Sequence, residues 1–203
     1  MKNHLFYKGD FFMYNFIMDT LDKIKSECEN CILCDLHKTR NNIVFSDGNK
    51  KANLFFIGEA PGENEDNEGK PFVGRAGKLL DKYLEEAGLS RAQDLYIANI
   101  IKCRPPKNRV PKTCEKEACR KYLYEQILAV NPKVVILCGT TALTEFVKDK
   151  KITEIHGKEI FIDINGKTFK AVPILHPSPL CRIKDKQQVM VEDLIKIKQL
   201  VRG

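Results

Sequence analysis

No run in this chain of 203 residues reaches the ~20 consecutive apolar positions that a membrane-spanning helix needs, so no membrane span is expected. Residues 1–20 are rich in aromatics, but Lys8, Gly9, Asp10 and Asn15 interrupt them and no small-residue cleavage site follows. They do not make a secretory signal. Internal repeats, low-complexity tracts and composition-biased linkers are all missing, which gives no reason to divide residues 1–203 into more than one domain. Disorder is excluded too, because 43% of the residues are hydrophobic and 30% charged, with enough length for a real core. An acidic excess is absent: the formal charge is +7 and the pI about 8.9, compatible with nucleic acid and equally with a lysine-rich surface. Eight cysteines without a secretory signal point away from disulfides and toward metal or redox chemistry.

What is present is organised around residues 54–84, LFFIGEAPGENEDNEGKPFVGRAGKLLDKYL. Residues 54–57 are a continuous apolar run, the mark of a strand buried on both faces, ending at Gly58. The loop over 58–74 holds four glycines, two prolines and the carboxylates Glu59, Glu63, Glu65, Asp66 and Glu68. Ala76, Leu79, Leu80, Tyr83, Leu84 and Ala87 then recur at helical spacing, and Gly88 closes the helix. The loop is long for a strand–helix connection and sets Phe72 among glycines beside a cluster of acids. Open α/β sheets place their ligands at such strand ends.

The remaining elements alternate in the same way. Spacing predicts a helix over 16–26, a short strand over 43–45, and the turn signal Ser46-Asp47-Gly48-Asn49. An apolar strand covers 95–101, and Thr113 is placed to cap a helix running through Val130. VVILC at 134–138 is a third buried strand, with a short helix starting at 139–142. Residues 159–164 and 168–172 flank Asn165-Gly166, a strong hairpin signal. A last core strand over 172–175 runs into His176-Pro177-Ser178-Pro179-Leu180, and an amphipathic helix covers 186–201. Strands alternating with helices argue for a parallel sheet covered on both faces.

Cys31-x2-Cys34 is one tight ligand pair, while Cys103 follows a strand and Cys119 sits in the next helix. Four thiolates can hold a [4Fe–4S] cluster or a zinc ion, and one pair plus two scattered cysteines leans toward the cluster. Cys28 and Cys114 are spare, so spacing alone leaves the choice of four among six open. Cys138, inside an apolar strand, and Cys181 read as small packed side chains.

Three motifs, GEAPGENEDNEGKPFVGRAGKLLD (58–81), NIIKCRPPKNRVP (99–111) and HPSPL (176–180), with the four cysteines, resemble the family-4, iron–sulfur uracil-DNA glycosylases. The resemblance spans residues 28–182 and leaves residues 1–15 outside it. It implies a three-layer α/β/α sandwich around a central four-stranded parallel sheet. It also implies a [4Fe–4S] cluster on Cys31, Cys34, Cys103 and Cys119, and a monomeric, cytoplasmic enzyme that meets the nucleoid through DNA. The activity implied is to flip uracil out of single- or double-stranded DNA and hydrolyse its N-glycosidic bond, leaving an abasic site.

The implied roles have a physical logic. A base inside a duplex must be flipped into a pocket to be reached. Phe72 would stack on uracil, with Gly58 and Ala60 beside it, and Asn99 would match its O4 and N3–H. Cytosine presents the reverse pattern and would leave buried groups unpaired. His176 would donate to O2 as negative charge grows there. A carboxylate would position water and offset the sugar's positive charge: Glu59 first, Glu65 second, Asp66 third. Pro177, Ser178 and Leu180 would engage DNA, Leu180 as the wedge, with Arg104, Lys107, Arg109 and Arg182 on phosphates. The chain departs from the family at His156-Gly157, where Arg often precedes the Gly, and at Cys181-Arg182 after the wedge. Charge and cysteines alone also admit a non-enzymatic iron–sulfur or zinc nucleic-acid-binding module. A phosphate-binding glycine loop is disfavoured by the five carboxylates beside it.

Overall fold

The computed structural model describes the backbone of residues 8–180 and 184–202, and the side chains of 17–18, 20–179 and 187–202. The strands are β1 (Asp47–Gly48), β2 (Leu54–Gly58), β3 (Leu95–Asn99), β4 (Val134–Cys138), β5 (Ile160–Ile164) and β6 (Lys167–Ile174). They form one sheet in the order β1-β3-β2-β4-β6-β5. Parallel pairing joins β3, β2, β4 and β6, while β1 and β5 add antiparallel edges. The sheet is therefore mixed and six-stranded, wider than the four-stranded parallel sheet expected.

Every residue of β2, β3 and β4 is buried, which is why their sequences are unbroken apolar runs rather than alternating ones. Phe55, Ile57, Tyr96, Ala98, Val135 and Leu137 face one side, against Leu21 and Ile24 of α1 (Lys8–Glu29) and Leu123 and Ile127 of α5 (Thr113–Val130). Leu54, Phe56, Leu95, Ile97, Val134 and Ile136 face the other, against Leu80 and Leu84 of α3 (Arg75–Glu86) and Leu194 and Ile197 of α9 (Lys184–Arg202). Each of the large apolar side chains among them contributes about 1.5–3 kcal/mol by leaving water. The expected layers, helices on both faces of the sheet, are present.

Local chemistry explains where the elements differ from expectation. The first strand is Asp47–Gly48, in what read as a turn, and not 43–45. Gly48 has φ +90°, and a Cβ there would collide with the Leu95 carbonyl, so only glycine lets this segment close onto β3. Asn165 and Gly166 (φ 52° and 82°) make the expected hairpin turn. Its second arm does not stop: β6 pairs with β5 through Lys167–Ala171 and with β4 through Ala171–Ile174, so hairpin arm and last core strand are one. Inside the acidic loop a short helix α2 (Glu63–Glu68) forms, followed after α3 by α4 (Arg91–Asp94). The cap of α5 is Lys112 rather than Thr113, because Glu115 reaches back 2.8 Å to the Lys112 N–H. After β4 come α6 (Thr140–Phe146) and α7 (Ile152–Ile155), and α8 (Pro177–Leu180) follows β6.

The chain leaves β2 toward β3 on one side and returns through β4 on the other. The carboxyl ends of β2 and β4 therefore flank the crevice where the strand order reverses, the place such sheets keep for ligands.

Candidate active site

At that crevice lies a cavity of about 560 Å³, and Glu59, Ala60, Glu65, Phe72, Asn99, Arg109, His176 and Ser178 all line it. Gly58 pairs in register with Asn99 at its floor. A Cβ at Gly58 would run into both the Asn99 carboxamide oxygen and the Phe72 ring, so only the bare backbone there lets both side chains pack directly against it.

Phe72 is held firmly. Its φ is 56°, a left-handed value unusual for a bulky residue, and its ring meets Phe56 edge to face with centroids 5.1 Å apart. Arg91 donates to the Phe72 carbonyl at 2.6 Å and the Pro71 carbonyl at 3.1 Å, while itself paired with Asp47 and Asp81. Gly77 passes so close to the Phe72 carbonyl that any side chain there would overlap it.

The three carboxylates weighed for the chemistry have different tasks. Glu65 accepts N–H bonds from Gly62 (3.1 Å), Val73 (3.0 Å) and Gly74 (2.7 Å), which occupies both oxygens in closing the loop. Asp66, 1% exposed, accepts from the backbone of Asn41 and Asn42. Glu59 stands at the end of β2, where Thr141 at the start of α6 donates to its Oε2 across the crevice. Sequence reasoning overlooked Thr141; its signal was its place just after the third apolar strand.

Asn99 is 1% exposed, and its Oδ1 is a buried acceptor with no partner. Such an atom costs about 1–3 kcal/mol unless something donates to it. His176 accepts the Ser178 N–H at Nδ1 (3.2 Å), so in its neutral form the proton sits on Nε2. Burial pushes its pKa below the ordinary value, opposed by the charge of Glu59. Its ring centroid is 6.4 Å from that of Phe72.

The cations proposed for phosphates are less available than the sequence implies. Arg109 makes a two-pronged pair with buried Glu115 (2.6 and 2.8 Å), which raises the guanidinium's pKa and lowers the carboxylate's. Arg104 reaches Asn108 at 2.8 Å and Glu63 at 3.5 Å. Lys107 is exposed on a strained turn, with φ 56°. Pro177 is buried, whereas Ser178 is exposed at the rim. The Leu180 side chain and all of Arg182 lie outside the described residues.

Away from this cavity, Cys28, Cys31, Cys34, Cys103 and Cys119 line one hollow together with Lys102 and Arg40. Cys114 is exposed and does not line it, and Cys138 is packed within β4. Arg40 donates to Cys103 Sγ at 3.4 Å and to the Cys31 carbonyl at 2.8 Å. Burial pushes the Cys28 and Cys119 thiols up to about 12. Among the described residues no three His, Cys, Asp or Glu side chains converge as a single-ion site.

Known proteins resemble this chain over most of its length. The chain is 41% identical over 188 residues to the type-4 uracil-DNA glycosylase of Thermotoga maritima, covering 91% of this chain and 96% of that protein. It is 41% identical over 189 residues to that of Archaeoglobus fulgidus (90% and 94% covered), and 43% identical over 188 residues to that of Saccharolobus solfataricus (90% and 87%). Residues 45–197, which carry the strand ends described above, match the model of the uracil DNA glycosylase superfamily, and the chain belongs to that family.

Proposed function

We propose that this chain is a DNA-repair hydrolase that accepts a uracil flipped out of DNA and cleaves its N-glycosidic bond, leaving an abasic site. The observation that carries the reading is the unpartnered Oδ1 of Asn99, buried opposite the Phe72 ring. Uracil brings an N3–H to that oxygen and an O4 to the same residue's amide donor. Cytosine brings an acceptor and a donor in the reverse places, leaving both groups buried and unpaired. A planar base would stack on Phe72 where that ring lines the cavity, beside the Asn99 carboxamide.

The chemistry then falls to two groups. As the C1′–N1 bond breaks, its electron pair moves onto uracil, and neutral His176 offers Nε2–H to O2; a donor so placed is worth about 10²–10³ in rate. Glu59, anchored at one oxygen by Thr141, keeps the other to orient a water toward C1′ and take its proton. That carboxylate also offsets the sugar's positive charge, a contribution of about 10²–10⁴. Glu65 supports the loop and takes no part in proton transfer.

Cys31, Cys34, Cys103 and Cys119 would hold a [4Fe–4S] cluster. The thiols suit it because they line one hollow, and Arg40 and Lys102 supply positive charge beside them. When bound, the cluster supplies a structural staple joining the end of α1, the loop after β3 and α5. Release of free uracil from a uracil-containing oligonucleotide, with nothing released from a thymine control, is the expected result. Folded, iron-replete protein that releases none overturns the reading.

A further inference from the structure

Between the uracil cavity and the thiol hollow sits one side chain that lines the hollow and also reaches the Asn99 backbone. Lys102 is 0% exposed, and its Nζ donates to the Asn99 main-chain carbonyl at 2.9 Å and to Gln126 Oε1 at 2.6 Å. Both partners are neutral. Gln126 is itself fixed, donating to Tyr96 Oη at 3.1 Å and the Phe45 carbonyl at 3.2 Å. The Lys102 backbone is pinned as well, its carbonyl accepting from Val44 N–H at 2.9 Å and its N–H meeting the Cys119 sulfur. Among the described residues, the ionisable groups facing the ammonium are the thiols of Cys28, Cys119 and Cys103. A buried cation with neutral hydrogen-bond partners calls for negative charge nearby. Four thiolates around a cluster carry a net negative charge, and the hollow that Lys102 lines is where they stand.

We propose that Lys102 is a positioning residue linking the two sites: its ammonium is the counter-charge of a thiolate-held cluster on one side and the clamp on the Asn99 backbone on the other. This rests on the reading above, cluster and uracil pocket together. Filling the hollow then steadies the carboxamide that reads the base, and by linkage a base in the pocket steadies the cluster.

The test uses the cluster-loaded protein. Lys102→Met is expected to lose iron to a chelator about 10- to 100-fold faster than wild type, the scale of a lost charged hydrogen bond. For chains still loaded, KM for uracil-containing DNA rises by a similar factor while kcat changes less than about threefold, as when uniform binding is lost. Asp193→Leu removes a comparable buried polar group, the partner of His156, away from both sites, and keeps both properties within about threefold of wild type. Equal losses in the two variants would mean general core damage and overturn the proposal. In wild type, saturating free uracil slows iron loss; no effect overturns the proposal even if Lys102→Met does not fold. Wild-type protein lacking iron and sulfide, or releasing no uracil, overturns the reading beneath along with this inference. Wild type with both properties and a Lys102→Met variant that matches it overturns the inference alone.

Discussion

Adding one methyl group at Gly58 tests the geometry of the pocket without touching any group assigned to chemistry. A Cβ there would lie 2.5 Å from two ring carbons of Phe72 and against the carboxamide oxygen of Asn99. Ordinary contact requires the ring to retreat by about 1 Å. Phe72 cannot easily retreat, because Arg91 grips its carbonyl, Gly77 lies beneath it and Phe56 blocks its edge. A displacement of about 1 Å at a reacting site costs roughly 10²-fold in rate, and overpacking costs about 1–3 kcal/mol of stability. Gly58→Ala should therefore cut kcat/KM for uracil release by about 10²-fold, measured under single-turnover conditions, while melting a few degrees lower. Gly166→Ala is the matched control: φ is +82° there but nothing lies within 4 Å, so it should lose stability and keep activity. Gly58→Ala with activity within about threefold of wild type, in a protein destabilised as expected, would refute the reasoning that Phe72 and Asn99 must keep their close packing on Gly58.

The two glutamates separate by the kind of damage they do. Glu59→Gln should lower kcat by about 10²–10⁴-fold with an unchanged melting temperature. Glu65→Gln weakens three backbone bonds, so it should lower stability by about 1–3 kcal/mol and raise KM, with a smaller effect on kcat. Thermal melts beside steady-state kinetics decide this, and reversed behaviour would exchange their roles. His176 governs the acid limb. Its native pKa lies below the ordinary 6.5, so the unfolded chain binds this proton first as pH falls. The stability it contributes is complete above 6.5 and drains away between 6.5 and the lowered native value. Uracil release should hold through pH 6.5 and decline only below it, a limb that His176→Gln removes; a decline centred above 6.5 would contradict the assignment. Among the cysteines, Cys119→Ala should abolish iron retention and Cys28→Ala should leave it intact, read as iron per chain.

What could be read in advance, and what could not, follows from where the information sits. β2, β3 and β4 are buried on both faces, so each announces itself locally as an apolar run. Asn165-Gly166 announces the hairpin because few other residues adopt its backbone. The elements misjudged depend on distant partners. β1 exists because Gly48 can touch Leu95, and α2 because Glu65 can reach Gly62 and Gly74 at once. Glu59 and Glu65 look alike in the motif, and only the three N–H bonds on one of them tell them apart. Arg109 reads as a free cation until Glu115, one turn into the next helix, is seen to hold it.

The same distinction explains why the pocket was largely legible and its supports were not. Glu59, Asn99 and His176 each stand at or just past the end of a parallel strand, and parallel strands deliver their carboxyl ends to one edge by construction. Convergence there needs only the strand pattern. Thr141, Arg91 and Lys102 act through contacts across 82, 19 and 3 positions of sequence, and none carries a local mark of what it will hold. A pocket whose readers come from strand ends and whose clamps come from elsewhere should tolerate exchange of the clamps less predictably than exchange of the readers. Arg91→Ala, remote from the base, should raise KM by loosening Phe72 as surely as truncating the ring itself. Equal KM for Arg91→Ala and wild type would show that the left-handed turn at Phe72 keeps its shape without that grip.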